Sequence, residues 1–404
     1  MTISLCMIVK DEAANLPHCL ESVKGCVDEI LILDTGSRDD TIAIAESYGA
    51  KVNAMEWGND FAAARNQSIA SATSDWILVL DADESLTAAG RELLQQVQTG
   101  DAIADIPVSS IVAINLMRYE VNADQSPYSE VSRLFRNHVG LQFERPYHET
   151  IDDSVMRLIQ AEPHRQVVLW PQAAISHVGY GADVIAQRDK FTRAAQIMSA
   201  YLADHPQDAY ICNKLGALYV SIGHTERGRL LLERGLAAQP TDASTLYELH
   251  YHLGLAYRDA RLTAIAIDHY QKAIAQDVPD MLKVGALINL GSLYQAGQNY
   301  KGAISIYEQA IASTPGFSLP YFNLGIAKRA MGDLSGAVAA YEEAIARDPH
   351  YAAAHQNLGV VLFKLGKVPE SIQAFQQAIA IYQKTDPAKA KQLLENLSAL
   401  SNNA

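Results

Sequence analysis

Trp76-Ile-Leu-Val-Leu-Asp81-Ala-Asp83-Glu84 is a short apolar run that ends in two carboxylates spaced i, i+2. Such a run predicts a buried strand, and the carboxyl ends of strands are where open α/β sheets bind their ligands. Two hard oxygen ligands placed there suit a partly hydrated divalent cation that neutralises a diphosphate. The alternative is a pair of solvated turn aspartates, and the surrounding sequence decides between them.

Outward from this run, the first 180 or so residues alternate short apolar segments with helical ones, as βα units do. Strands are predicted at 3–9, 29–33, 51–55 and 76–80, with helices at 15–24, 41–48 and 62–72 between them. Beyond residue 84 the pattern is less regular, with strands expected at 111–119, 132–136 and 167–169. The expectation is an α/β domain with a mixed, mostly parallel sheet.

From about residue 209 the pattern becomes a repeat. Leu215-Gly216, Leu253-Gly254, Leu290-Gly291, Leu324-Gly325 and Leu358-Gly359 mark the first helices of about five units. Second helices carry Ala266, Tyr270 and Ala273, then Ala303, Tyr307, Ala310 and Pro315, then Ala337, Tyr341, Ala344 and Pro349, and finally Phe375 and Ala378. Small residues let two helices approach, an aromatic fills the gap, and proline ends the hairpin. The series resembles the tetratricopeptide repeat, with a period near 34 residues. Gly228 and Gly235 stand at alanine positions, so the first unit is degenerate, and the last helix, with its polar tail, reads as a solubilising cap. An all-α solenoid over 205–404 is therefore expected to follow the α/β domain at 1–204.

Composition narrows the function classes. With 404 residues, 49% of them hydrophobic, the chain is long enough for two or three domains. A net charge of -14 with no basic run argues against nucleic acid as a partner. Cys6, Cys19, Cys26 and Cys212 show no Cys-x-x-Cys spacing and read as small buried residues in a reducing compartment. No segment has the apolar length to span a bilayer, and the first residues lack the pattern of a signal peptide. A soluble, cytoplasmic protein without membrane insertion is the expectation.

Met7-Ile-Val-Lys-Asp-Glu12, Ile30-Leu-Ile-Leu-Asp34-Thr-Gly-Ser37 with Asp40-Thr41, Arg65-Asn66 and the Asp81-Ala-Asp83-Glu84 strand end stand together in the first half. Taken together they resemble the GT-A domain of glycosyltransferase family 2, over roughly residues 1–200. The resemblance implies a metal-dependent, inverting transfer from a nucleoside diphosphate sugar, with uridine favoured as the base. Val9, Lys10, Glu12, Asp34, Arg65, Asp81 and Ala82 would then contact the donor. Asp83 would ligate Mn²⁺ or Mg²⁺, with Asp81 on the ribose or the metal. Asp34 also has a physical case, because a carboxylate at a sheet-edge crevice accepts from a pyrimidine N–H or a ribose hydroxyl. Its alternative is to cap the helix at Thr41, for which Asp39 and Asp40 are better placed. For Arg65 the alternative is a solvated or structural ion pair, and Glu84 is either a supporting residue or the start of a loop.

Two later segments add candidates. Pro146-Tyr-His148-Glu149-Thr150 lacks the second histidine of a zinc protease, since Asp152 stands four residues after His148. An inverting transferase needs a carboxylate to take the acceptor's proton, and Glu149 is the candidate base, against the alternative of a surface loop glutamate. Ile175-Ser-His177-Val-Gly179-Tyr180 offers an imidazole as a further metal ligand, or an ordinary hydrogen-bonded histidine. Arg133, Arg136, His148, Tyr180 and Lys190 are candidate contacts to phosphate or acceptor. The repeats predict a concave surface for a protein, peptide or cell-envelope glycan acceptor. Competing readings are a repeat scaffold that has lost catalysis and a haloacid dehalogenase-like phosphatase. The phosphatase carries its Asp-x-Asp on the first strand, whereas here the strands at 3–9, 29–33 and 51–55 come first.

Overall fold

The computed structural model describes residues 1–121, 123, 125–179 and 184–402, without the side chains of 184–190 and 398–402. It divides into two compact units, Met1–Pro240 and Thr241–Ala404. In chain order the first unit contains β1 (Ile3–Val9), α1 (Leu16–Val23), β2 (Glu29–Asp34), α2 (Thr41–Ser47), β3 (Lys51–Ala54), α3 (Phe61–Ile69) and β4 (Trp76–Val79). It continues through β5 (Glu84–Leu86), α4 (Ala88–Thr99), β6 (Ile111–Glu120), β7 (Tyr128–Arg136), α5 (Asp152–Ala161), β8 (Gln166–His177) and α6 (Val184–Asp204).

The eight strands form one sheet in the order β3-β2-β1-β4-β7-β6-β8-β5. β1 pairs in parallel with β2 and β4, β2 with β3, and β6 with β8; β7 and β5 run antiparallel to their neighbours. Alternate residues of the central strands enter different cores. Leu5, Met7, Trp76 and Leu78 pack with α1 and α4, whereas Cys6, Ile77 and Val79 pack with α3 and α5. A strand buried on both faces has no polar alternation, which is why Trp76 to Leu80 reads as a continuous apolar run.

The region after residue 84 is more regular than its sequence predicts. Thr87 caps α4 by accepting from the Gly90 N–H at 3.1 Å, and Gly100 ends it at φ 81°. Gly90 dilutes the helical signal, yet it is required, since a Cβ there would lie 2.2 Å from the Ala174 carbonyl oxygen. Pro171 and two bulges break up β8, so only its first third carries a strand signature.

The repeats are helical hairpins: α7 (Ala209–Ser221) with α8 (Thr225–Ala237), α9 (Ala243–Asp259) with α10 (Thr263–Ile274), and α11 (Val284–Ala296) with α12 (Tyr300–Ser313). They continue as α13 (Ser318–Ala330) with α14 (Leu334–Arg347), α15 (Ala352–Lys364) with α16 (Val368–Thr385), and end in α17 (Pro387–Asn402). The glycine of each first helix meets the large residue of the second. A Cβ on Gly254, Gly291 or Gly325 would approach the rings of Tyr270, Tyr307 or Tyr341 to 2.5–2.6 Å. Asp242, Asn299 and Asp333 cap helices of these hairpins through their side chains. All four cysteines are free thiols.

Two predictions follow from this packing. Gly325→Val should lower the stability of the repeats by about 1–3 kcal/mol, because the added methyls have no room beside Tyr341. Gly316→Val, at a position open to solvent, is the control, and equal denaturation midpoints for the two variants would contradict the packing. The second concerns Glu29, which bridges Ser4, Thr73 and Lys51. Burial pushes its carboxyl up, but these hydrogen bonds outweigh it and hold it at about 2. A lowered carboxyl stabilises the fold above its unfolded pKa and loses that contribution as pH falls through the folded value. Denaturant unfolding should therefore show Glu29→Gln destabilised at pH 7, with the gap to wild type closing toward pH 2.

Candidate active site

The carboxyl ends of β1, β2 and β4 share one sheet edge, as the registers Val9 with Asp34 and Cys6 with Val79 require. Asp34 is buried there and accepts from the N–H groups of Gly36 and Ser37 at 2.9 and 3.0 Å, a turn that Gly36 permits at φ 104°. Capping near Thr41 falls instead to Asp39, whose carboxylate accepts from Thr41 N–H at 3.0 Å and Ala13 N–H at 3.1 Å. The loops after β1 and β2 are joined further. Asp11 accepts from Arg38 N–H at 2.7 Å, Glu12 N–H donates to Thr41 Oγ1 at 2.7 Å, and the Val9 carbonyl accepts from Thr35 N–H at 2.9 Å. Lys10 is exposed beside them. Val9, Lys10, Glu12 and Asp34 thus occupy one rim.

A second group gathers around Asp81. Its Oδ1 accepts from Arg65 Nη2 at 2.5 Å and its Oδ2 from Arg133 Nη2 at 2.9 Å, while Arg65 Nε donates to Glu149 Oε1 at 2.8 Å. Burial works against the charge on both arginines, and Asp81 more than restores it. Asp81 is held well below the usual carboxylate range: burial opposes ionisation, and Arg133 and Arg65 override it. Arg65 Nη1 and Arg133 Nη1 are buried without a hydrogen-bond partner. Both are donors that no protein group occupies.

Asp83 faces a different partner. His177 Nε2 lies 3.1 Å from Asp83 Oδ2, and His177 Nδ1 lies 2.5 Å from Glu120 Oε2. The hydrogen bonds to Asp83 and Glu120 raise the imidazole to about 9. Two adjacent ligands of an octahedral cation, each about 2.1 Å from it, are about 3 Å apart, so this pair fits one edge of such a shell. Among the described residues no set of three His, Cys, Asp or Glu forms a ready-made cation site.

The structure separates residues that the sequence grouped. Both oxygens of Asp81 are engaged by guanidinium groups, so Asp83 and His177 are the residues here that could hold a cation, with Ala82 buried between the two aspartates. Arg136 is a correction. It stands opposite Trp76 at the far end of β4, lies over that ring at 4.4 Å, and donates to Val108 and Ile111 carbonyls. Three residues along a strand change both face and position by about 10 Å, so Arg133 reaches the site and Arg136 does not. His148 is exposed at φ 55°, its ring edge-on to Tyr147 at 5.1 Å. Tyr180 and the Lys190 side chain lie outside the described residues.

Three supporting residues were not singled out, or not resolved, by sequence reasoning. Glu84 is buried, accepts from Asp81 N–H at 2.9 Å and receives Arg118 Nη1 at 2.8 Å, while Arg118 Nε donates to Glu120 at 2.8 Å. The available signal was Arg118-x-Glu120, two charges on one face at the end of an apolar strand.

Comparison with known proteins identifies both parts of the chain. The sequence model of glycosyl transferase family 2 matches residues 4–168, and tetratricopeptide repeat models match 286–319 and 322–388. A TPR repeat-containing protein of Synechococcus elongatus is 46% identical over 314 residues, 78% of this chain and 76% of that protein. A glycosyltransferase of Rickettsia felis is 29% identical over 198 residues, 48% of this chain and 68% of its own. The prophage-derived glycosyltransferase SunS of Bacillus subtilis is 31% identical over 150 residues, 37% of this chain and 34% of that one. This chain belongs to glycosyl transferase family 2, its transferase domain joined to tetratricopeptide repeats.

Proposed function

We propose that residues 1–204 transfer a sugar, with inversion and in the cytoplasm, from a nucleoside diphosphate sugar, uridine-linked in the first instance. Its acceptor would be a protein, peptide or cell-envelope glycan recruited by the repeats of 205–404. The observation that carries the reading is the Asp83–His177 pair, 3.1 Å apart and backed by Glu120. A negative field that raises an imidazole also favours a metal cation at the same place. Mn²⁺ or Mg²⁺ bound there would supply Lewis-acid stabilisation of the leaving diphosphate.

The other groups have roles that need only their own chemistry. Asp34 would accept from the base or ribose at the rim. Arg65 and Arg133 each carry an unmatched buried guanidinium nitrogen suited to phosphate oxygens. Asp81 keeps both arginines charged and in place. Glu149, held by Arg65 through one carboxylate oxygen, would take the proton from the attacking acceptor. Among the described residues no helix is long and apolar enough to cross a membrane. The free thiols support a reducing, cytoplasmic setting.

Two measurements test this. Calorimetric titration with Mn²⁺ and uridine diphosphate should show metal-dependent binding that Asp83→Ala abolishes and Glu120→Gln weakens by about 10–100-fold. Binding that persists unchanged in chelator would sink the metal assignment. Glu149→Gln should lower kcat by about 10²–10⁴-fold while leaving the donor KM unaltered. An undiminished kcat would move the base elsewhere.

A further inference from the structure

The loop that carries Glu149 is held from outside the sheet. Arg145 opens it at φ 74° and His148 follows at φ 55°, both left-handed without being glycine. A loop with two such residues keeps its shape only where surrounding groups impose it. The ties can be traced. The Pro146 carbonyl accepts from Phe61 N–H at 2.9 Å, at the start of the helix that bears Arg65. Tyr147 packs against the apolar cluster that α6 and α7 form with Ala194, Met198, Leu202, Ile211, Cys212 and Leu215. Arg145 Nη1 meets Asp153 Oδ2 at 2.5 Å, its Nε meets Asp208 Oδ2 at 2.8 Å, and its guanidinium covers the Tyr210 ring at 5.0 Å.

Asp208 is therefore shared between two structures. Its Oδ1 accepts from Ile211 N–H at 2.9 Å and caps α7, the first helix of the first repeat. Its Oδ2 faces Arg145 and the Tyr201 hydroxyl. Only about a tenth of each side chain in the Arg145–Asp208 pair is exposed, so solvent screens the pair little. The first hairpin also lies within the compact unit that contains the sheet, since that unit extends to Pro240.

We propose that Asp208 is a positioning residue for transfer: through Arg145 it fixes the loop that presents Glu149, so the working transferase includes the first repeat hairpin. The inference rests on the assignment of Glu149 as base. It also changes what a truncation reports, because a cut near residue 205 removes Asp208 and disturbs the chemistry as well as acceptor capture.

Full-length Asp208→Asn is the discriminating variant. Asparagine is an equally good cap, so α7 should be kept, while the charge facing Arg145 is lost and Asp153 alone remains beside it. Hydrogen exchange of residues 144–150, and of the Phe61 amide that reports on Pro146, should quicken about tenfold with α7 amides unchanged. Hydrolysis of UDP-glucose or UDP-N-acetylglucosamine with Mn²⁺ should lose about tenfold in kcat at constant donor KM. Arg145→Met should do the same, and the double variant should be no worse than either single one. Unchanged loop exchange in Asp208→Asn, or fully additive effects in the double variant, would overturn the proposal. A loosened loop, with hydrolysis insensitive both to it and to Glu149→Gln, supports the Asp208 tie and faults the assignment of Glu149 instead.

Discussion

Two buried guanidinium groups share the carboxylate of Asp81, and they come from different parts of the chain, Arg65 from α3 and Arg133 from β7. An unpaired charge in such a place costs several kcal/mol, so neither arginine can be buried until Asp81 and Glu149 are beside it. With both carboxylates in place the group is neutral. The helix, the end of β4, the strand β7 and the loop of Glu149 are thereby committed to one arrangement. Glu84 extends the constraint by taking the Asp81 N–H with one oxygen and Arg118 with the other. Arg118 reaches Glu120, Glu120 holds His177, and His177 returns to Asp83. This ring starts and ends on the same turn. It contains three carboxylates against one guanidinium and one imidazole, and the remaining negative excess separates the Asp83 side of the turn from the neutral Asp81 side.

How much of this could be read in advance depends on how local the cause is. The strand at Trp76, its two aspartates and the two-faced core need only a run of residues and the position of a strand end. The repeats were equally legible, since each glycine meets an aromatic of its own hairpin and the same pair recurs from Gly254–Tyr270 to Gly325–Tyr341. The ionic ring was not. Its members lie 34, 57 and 94 residues apart, at Arg118–Glu84, Glu120–His177 and Asp83–His177, and they meet only through the order in which β7, β6, β8 and β5 pair. Arg136 failed for a simpler reason, since odd spacing on a strand reverses the face. Helix α4 was obscured by Gly90, which exists for its approach to Ala174 and not for helix propensity.

The degenerate first repeat belongs to the same argument. A repeat hairpin buries its apolar faces against neighbours, so the first one needs a surface in front of it. Here α6 supplies that surface, with Ala194, Met198 and Leu202 packed on Ile211, Cys212, Leu215 and Tyr219 of α7. The aromatic of the later hairpins is replaced by Leu232 against Gly216, and Gly228 approaches the Gly216 carbonyl, where a Cβ would lie at 2.6 Å. These departures weaken the repeat signature without weakening the fold, because the hairpin answers to α6 and to the Tyr147 loop as well as to its own partner helix. The solenoid begins on a wall that the transferase domain provides. In return, the first repeat lends Asp208 to the loop that presents Glu149.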